Sequence, residues 1–301
     1  MKITFILDNL HAGNAYIRGI LPVMGMKNLD IDASYIEASK FKPELVEKNE
    51  TVVFVKYDRL NQSKIVKQKG GRVILDVVDS KKHWMGIRDY IDALIVNTDS
   101  SEMIIRNRFN FEGEIFKIPH IITNFTKDLE GQVRKKLPKV PKNLGYIGVS
   151  ETFTDNLFFK SFCDENDMNW LFTSASVSSN ENSSLQIDLG CINFTHEKER
   201  IGGTYTMTKP SAKLINLFSY GIPALFTPYE SYLDAIVSYG DKKLLWCVCP
   251  TKYAMLDKVK ILIENPDLYH DLSDRSFALS RKLHISETKN IYSEIIDYAK
   301  R

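Results

Sequence analysis

Short apolar runs alternate with amphipathic segments along the first part of the chain. The amphipathic segments, whose apolar positions recur at helical spacing, lie near 13–24, 59–68 and 100–108. Strands that alternate with helices predict a parallel sheet covered on both faces, with ligands bound beyond the carboxyl ends of the strands. The runs that we predict to be strands are 3–7, 32–36, 51–55, 72–77, 93–96 and 114–118.

A second pattern of the same kind follows a charged stretch that contains Pro138 and Pro141. Proline interrupts both helical and strand periodicity, so this stretch predicts a linker. The sequence therefore divides into a first domain (1–125), a linker (126–142), a second domain (143–285) and a final helix (286–301). In the second domain we expect strands at 144–147, 170–172, 187–192, 223–227 and 243–248, and helices at 156–164, 252–264 and 268–282.

The composition is that of a globular protein. The chain has 301 residues, enough for two cores, with 44% hydrophobic and 26% charged residues and a net charge of +2. Nucleic acid is not an expected partner, because its binders usually carry a basic domain or stripe. No apolar run approaches the roughly 20 residues of a membrane span. Met1 leads directly into the first strand, so we expect no signal peptide and a cytoplasmic location.

Two local clusters allow more than one interpretation. Cys247 and Cys249 are two residues apart in a predicted strand, and a zinc site would need better-spaced partners, so we interpret the cysteines as buried thiols. The cations of the linker are either solvated or in peripheral contact with the inner face of an anionic membrane. These cations are Arg134, Lys135, Lys136, Lys139 and Lys142.

The segment 204–234 predicts a helix with polar groups at its start, followed by a tight break and a strand. Pro210 suits the first helical turn, and Thr208 or Ser211 can supply the capping oxygen. Free N–H groups and the helix dipole, together with Lys209 and Lys213, indicate an anion site. Taken alone, the pattern is equally consistent with a surface helix that carries solvated lysines.

Three runs in this region resemble one known family in their order and spacing. They are DLGCINF at 188–194, KPSAKLIN at 209–216 and GIP at 221–223. The sequence is similar here to the donor-binding half of GT-B glycosyltransferases, in particular the family 4-like retaining enzymes. The resemblance implies an α/β fold of two Rossmann-like domains that face each other across a cleft, with the final helix crossing back to the first domain.

The resemblance also implies a function. It is the metal-independent transfer of a sugar, with retention, from a nucleotide-diphosphate sugar such as a UDP-sugar to a glycan, a lipid-linked acceptor or another acceptor. The donor would lie on the second domain and the acceptor on the first. Asp79, His83 and His120 at predicted strand ends are the catalytic candidates, although an ordinary loop role suits each equally well. The residues expected to bind the nucleotide sugar are Gly13, Asn14, Arg18, Arg200, Thr208, Lys209, Pro210, Ser211, Lys213 and Asn216.

Two departures from the family pattern bear on catalysis. The family usually has two glutamates eight positions apart, and those positions are Thr208 and Asn216 here. The Arg and Lys that the family tends to have after the first strand of the second domain are replaced by VSE at 149–151. Charge for a leaving diphosphate must then come from other cations. The candidates are Arg18, Arg200, Lys209 and Lys213.

Two other functions remain open. One is a non-catalytic nucleotide-sugar-binding subunit that supports a partner transferase. The other is a non-hydrolysing sugar-nucleotide epimerase of the same fold. The sequence contains no GxGxxG, P-loop or HExxH motif, which argues against a hydride-transfer Rossmann enzyme.

Overall fold

The computed structural model describes residues 1–10, 15–56, 59–77, 82–122, 133–148, 155–173, 185–192 and 211–301, with the backbone alone at 82–85 and 108. These residues form two compact units. Within the described ranges, the first unit contains Met1–Ile121 and Leu283–Arg301, and the second contains 122–192 and 211–282. None of the described helices combines the length and the hydropathy needed to cross a bilayer.

A parallel sheet forms the centre of the first unit. Its described strands are β1 (Lys2–Leu7), β2 (Asp32–Glu37), β3 (Thr51–Val55), β4 (Arg72–Asp76), β5 (Ala93–Val96) and β6 (Glu114–Lys117). They lie in the order β2-β1-β3-β4-β5-β6, which places a topological switch point between β1 and β3. Every residue of β3 is buried, as expected for a strand covered on both faces. This sheet confirms the predicted α/β class.

The helices of the first unit connect these strands. A π-helical turn at Tyr16–Ile20 runs into α1 (Leu21–Lys27), and α2 (Leu60–Gln68) and α3 (Asp99–Phe109) follow close to their predicted positions. Thr98 caps α3, because its Oγ1 accepts a hydrogen bond from the N–H of Ser101 at 3.0 Å. The short 3₁₀ segments Pro43–Leu45 and Lys82–Tyr90 were not expected from the sequence.

The second unit repeats this arrangement around a smaller parallel sheet. Its described strands are β7 (Asn143–Ile147), β8 (Asn169–Thr173), β9 (Leu189–Ile192) and β10 (Ala224–Phe226), in the order β10-β9-β7-β8. The switch point therefore lies between β7 and β9. The described helices are α4 (Asn156–Glu165), α5 (Ala212–Ser219), α6 (Glu230–Tyr239), α7 (Lys252–Glu264) and α8 (Pro266–Arg281).

One predicted strand of the second unit is wrong. Residues 243–248 do not form a strand; Lys242–Cys247 is a 3₁₀ helix, and only Val248 bridges to Phe226. The physical reason is the spacing of Leu244 and Cys247, which eclipse each other at three residues per turn and are both fully buried. Helix α6 was also not predicted, because the proline after β10 indicates a loop at the point where the helix begins.

The cysteines of the second unit are buried free thiols, as predicted. Burial, reinforced by Cys249, raises the pKa of Cys247 to about 12. Burial also raises the pKa of Cys249 to about 11. Such thiols stay protonated and therefore unreactive at neutral pH.

The end of the chain packs on the first unit as short helical pieces, whereas the sequence predicts one helix over 286–300. The pieces are the 3₁₀ turn Ile285–Glu287, α9 (Thr288–Ile291) and α10 (Ser293–Lys300). The break falls at Tyr292, whose φ of −107° leaves the helical region and whose ring is buried. Arg72 Nη1 donates to the carbonyl oxygens of Tyr298 at 2.9 Å and Ala299 at 3.2 Å, which satisfies the end of α10.

Replacing Gly25 in α1 with alanine should loosen this final segment. A Cβ at Gly25 would lie 2.0 Å from Oγ1 of Thr288, and overpacking of a core typically costs about 1–3 kcal/mol. Gly86→Ala is the matched control, because no described atom lies within 4 Å of a Cβ there. Urea unfolding should give a lower free energy of unfolding for Gly25→Ala than for Gly86→Ala, and limited proteolysis should cut 283–301 faster. Equal free energies in the two variants would contradict this packing.

Candidate functional site

The carboxyl edge of the second sheet brings the end of β7 close to the start of α5. Gly148 directly follows β7, and α5 begins at Ala212. This edge contains the switch point between β7 and β9, and open α/β sheets bind ligands outside the strand ends at such a point. The described residues at this edge therefore form the candidate site.

Lys213 lies in the first turn of α5, and the end of β7 holds its ammonium group. Nζ donates a hydrogen bond to Oη of Tyr146 and lies 4.4 Å from the centroid of the Tyr146 ring. The ring is fully buried and stacks on Phe172 with centroids 5.5 Å apart. A Cβ at Gly148 would lie 2.7 Å from Nζ and 2.6 Å from Oη, so any side chain there would disturb the pair. A positive charge is thus fixed where the helix dipole also favours an anion.

Asn216 follows Lys213 by three residues, so the two side chains lie on the same side of α5. Both are partly buried. Ser211 is the N-cap residue and its side chain makes no capping hydrogen bond, while Thr208, the other predicted capping candidate, lies outside the described residues. Among the described residues, the groups of this first turn that can interact with an anion are its backbone N–H groups and Lys213.

The rest of α5 is fixed firmly to the second unit. Leu214, Leu217 and Phe218 are fully buried, which confirms the predicted apolar face. Gly221 has a φ of +70° and donates its N–H to Phe218 O at 2.9 Å, while the N–H of Ile222 donates to Leu217 O at 3.1 Å. These two bonds form a Schellman motif, as expected for a helix that ends at a glycine. Packing and capping together hold the helix start in place.

Arg18, which the sequence indicates as a phosphate contact, is buried in the first unit. Its Nε donates to Oδ2 of Asp76 at 2.7 Å, and Nη1 donates to the carbonyl oxygens of Ile118 at 2.8 Å and Pro119 at 2.9 Å. The two charged side chains are 0% and 1% exposed. Burial acts to lower the pKa of Arg18, but Asp76 and Tyr292 raise it, so the guanidinium stays charged. In this arrangement the cation holds the ends of β4 and β6 together.

His120 is buried beside this ion pair and is only 2% exposed. Burial, followed by the nearby charge of Arg18, holds its pKa well below the usual value for histidine. Its Nδ1 has no hydrogen-bond partner among the described residues. The imidazole is therefore neutral at physiological pH and is enclosed by the protein.

The other predicted site residues lie outside the described part of the chain. For His83 the backbone is described but the side chain is not. Within the described ranges, no three His, Cys, Asp or Glu side chains lie close enough together to hold a metal ion. The undescribed residues are Gly13, Asn14, Asp79, Arg200, Thr208, Lys209 and Pro210.

The structure adds two residues that sequence reasoning missed. Tyr146 and Gly148 lie in the run LGYIG, which predicts a strand and gives no sign of a polar role for its tyrosine. A signal was nevertheless present, because a glycine directly after a strand can mark a close approach of another group. The partner of that approach, Lys213, is 65 or more residues away in sequence.

Comparison with solved structures identifies the fold. Sucrose-phosphate synthase from Thermosynechococcus elongatus superposes with a TM-score of 0.63 at 8% identity, over 99% of this chain and 100% of that chain. A DNA-modifying β-glucosyltransferase studied with uridine diphosphoglucose has a TM-score of 0.55 at 10% identity, over 99% and 100% of the two chains. The GtfA/B complex has a TM-score of 0.51 at 13% identity, over 84% of this chain. This chain spans 58% of the length of that last protein.

These similarities define the class of fold: the protein has the α/β architecture of the GT-B glycosyltransferases, as the sequence predicts. No protein-family model and no curated protein sequence matches the chain. At 8–13% identity the solved structures establish the fold alone. Function must therefore be argued from the site.

The buried His120 makes stability depend on pH. Its pKa is depressed in the folded state, so the unfolded state binds more protons below about pH 6.5, the usual histidine value. The free energy of unfolding should then fall as the pH is lowered from about 6.5, by at most about 1.4 kcal/mol per pH unit from this residue. Urea unfolding between pH 7.5 and 5 should show a shallower slope for His120→Gln than for the wild type. Parallel slopes would contradict the buried neutral imidazole.

Proposed function

We propose that this protein transfers a sugar from a nucleotide-diphosphate sugar to an acceptor, with the donor held by the second unit. The observation that carries the proposal is the ammonium of Lys213, fixed at the start of α5 on the carboxyl edge of a Rossmann-like sheet. The GT-B fold supports it, because solved structures with this fold include a β-glucosyltransferase whose substrate is uridine diphosphoglucose, as well as a sucrose-phosphate synthase.

The chemistry required of such a site is mainly electrostatic. When the bond between the sugar and the diphosphate of the donor breaks, negative charge develops on the leaving nucleoside diphosphate. A fixed cation and the free N–H groups of a helix start stabilise that charge without reorganising. Lys213 supplies the cation, and the amide of Asn216 can hydrogen-bond a ribose hydroxyl one turn further along α5.

The finer features of the reaction are part of the same proposal. We propose that transfer proceeds without a metal and with retention, in the cytoplasm or at the inner face of a membrane. The acceptor is a glycan or a lipid-linked molecule held by the first unit. Asp79 and His83 stay candidates for contact with the sugar, and Gly13, Asn14 and Arg200 for contact with the donor. Arg18 and His120 are buried, so the proposed donor site does not rely on them.

A second function is favoured by one observation in the sequence. Asn216 stands where the family-like pattern has a glutamate, and an amide binds a hydroxyl less strongly than a carboxylate does. A nucleotide-sugar-binding subunit that assists a partner transferase would keep the donor site but would not need full catalytic power. Donor hydrolysis measured with and without a panel of acceptors separates the two: turnover indicates the enzyme, and binding without turnover indicates the subunit.

A nucleoside diphosphate should stabilise the protein in the absence of metal. The reason is the fixed cation at the start of α5. A ligand present at about a hundred times its Kd adds roughly 2.7 kcal/mol to the stability of the state it binds. Thermal unfolding with UDP, GDP, ADP and dTDP, each with and without EDTA, should show a raised Tm for at least one nucleotide in both conditions. No shift with any of them, or a shift that EDTA abolishes, contradicts the proposed site.

Variants of α5 should separate phosphate binding from nucleoside binding. Lys213→Ala removes a charge-assisted contact, so it should weaken binding of the diphosphate roughly ten- to hundredfold and leave the nucleoside unchanged. Asn216→Ala should weaken both ligands by a similar factor, because both contain the ribose. Lys243→Ala, an exposed lysine of the same unit, is the matched control. Calorimetric titration gives the Kd values, and equal Kd values for all variants would make α5 an ordinary surface helix.

A further inference from the structure

The amino edge of the second sheet carries a cavity that the candidate donor site does not use. β7 begins at Asn143 and β8 begins at Asn169, and both residues line this cavity. Because the two strands are parallel, they begin at the edge opposite to the one at which Lys213 lies. The cavity has a volume of about 820 Å³, which falls within the range of about 300–1,000 Å³ that is usual for small-molecule sites.

One wall of the cavity is the segment 135–142, which the carboxylate of Asp188 fixes at both ends. Oδ1 of Asp188 accepts a hydrogen bond from Nζ of Lys135 at 2.7 Å. Oδ2 accepts hydrogen bonds from the N–H groups of Lys142 at 3.1 Å and Asn143 at 2.9 Å. The ion pair cancels the charge of Lys135, and the segment keeps a fixed course along the cavity although it contains neither helix nor strand.

The exposed positions of this wall recur every third residue, and each of them is a lysine. They are Lys136, Lys139 and Lys142, and the residues between them are half-buried or buried. None of the three ammonium groups is paired with a carboxylate in the part of the chain that the structure describes. Lys136 and Lys142 line the cavity, whereas Lys139 does not. Two cations whose charge is not cancelled therefore border one cavity.

The rest of the described lining suits an organic ligand. Nδ2 of Asn169 donates to Oδ1 of Asn143 at 2.8 Å, and Nδ2 of Asn143 donates to the carbonyl oxygen of Gln186 at 3.0 Å, so these amides hold one another in place. Half-buried leucines supply apolar surface, and they are Leu137, Leu171 and Leu185. Cations, amides and apolar side chains in one cavity favour a ligand that combines an anionic group with an apolar portion.

We propose that this cavity binds a phosphate ester with an apolar portion, and that Lys136 and Lys142 hold the phosphate group. Lysine binds phosphate as a point charge, and a phosphate monoester carries about −1.5 to −2 charges at pH 7. The headgroup of an anionic lipid and a soluble organic phosphate present the same chemistry, so the experiment has an arm for each source. The site lies at the other edge of the sheet from the donor that we propose, and its existence does not depend on the proposed function.

Calorimetric titration with hexyl phosphate tests the soluble source. UDP at saturating concentration occupies the candidate donor site, and hexanol, which has the same chain without the phosphate, is the matched ligand. Hexyl phosphate should bind and hexanol should not. Co-sedimentation with phosphatidylcholine vesicles that contain or lack phosphatidylglycerol tests the lipid source, and binding only to the anionic vesicles indicates that source. A wild type that binds in neither arm overturns the proposal.

Three lysine variants locate the binding. Lys136→Ala and Lys142→Ala should each weaken it about tenfold, because each removes a charge-assisted contact. Lys139→Ala is the matched control, since it removes an exposed lysine of the same segment that does not line the cavity. Its affinity should equal that of the wild type. Equal weakening by all three variants overturns the cavity as the site, because it indicates a basic surface without a specific contact.

A second readout shows directly where the ligand lies. Reductive methylation with formaldehyde, followed by mass spectrometry, reports how freely each lysine reacts with and without hexyl phosphate or anionic vesicles. The ligand should slow the methylation of Lys136 and Lys142 and leave Lys139 unchanged. Protection of Lys213 in their place overturns the proposal, because the ligand then lies at the carboxyl edge. A wild type that does not bind UDP overturns the proposed donor site alone, and the three variants still decide whether this cavity binds a phosphate ester.

Discussion

Parallel pairing of β7 with β8 and β9 is the constraint on which the candidate site depends. Parallel strands all end at one edge of their sheet, so β7, which Gly148 follows, and β9 end on the same side. The register matters as much as the direction. Tyr146 pairs with Phe172, and a slip of one residue would turn its ring to the opposite face of the sheet. Lys213 would then lose its acceptor. The chemistry of the site is therefore a consequence of strand register, which the buried residues of β7 and β9 specify.

Arg18, a cation with a structural role, and Lys213, the candidate for binding an anion, differ in their surroundings. Arg18 is wholly buried, and removing such a charge from water is costly unless geometry and hydrogen bonds compensate. Asp76 and two carbonyl oxygens provide that compensation, and the cation in return joins the ends of β4 and β6. Lys213 is only partly buried and faces a neutral phenol.

Much of the fold could be predicted from the sequence because helices and turns depend on residues that are close together in the chain. The helix at 212–219 and its end at Gly221 follow from apolar spacing and from the freedom of glycine at positive φ. The strand predicted at 243–248 is wrong, since a short apolar run fits a strand or a 3₁₀ turn equally well. The site was harder to predict. Sequence reasoning found Lys213 and Asn216 but could not foresee that Arg18 would be buried or that Tyr146 would face Lys213, because both facts depend on contacts between residues far apart in sequence.

The two sheets share one strand order but differ at their carboxyl edges. In the first, β2-β1-β3-β4 surrounds a switch point, and Arg18, which is buried near the strand ends, is paired with Asp76. In the second, β8-β7-β9-β10 repeats that order, and Lys213 lies at the carboxyl edge with its ammonium against the phenol of Tyr146. Topology alone would allow an anion at either edge. For the donor that we propose, electrostatics favours the second edge, because Lys213 is partly exposed at a helix start whereas Arg18 is enclosed beside Asp76. This difference, rather than the fold, is the physical reason for assigning the donor diphosphate to the second unit.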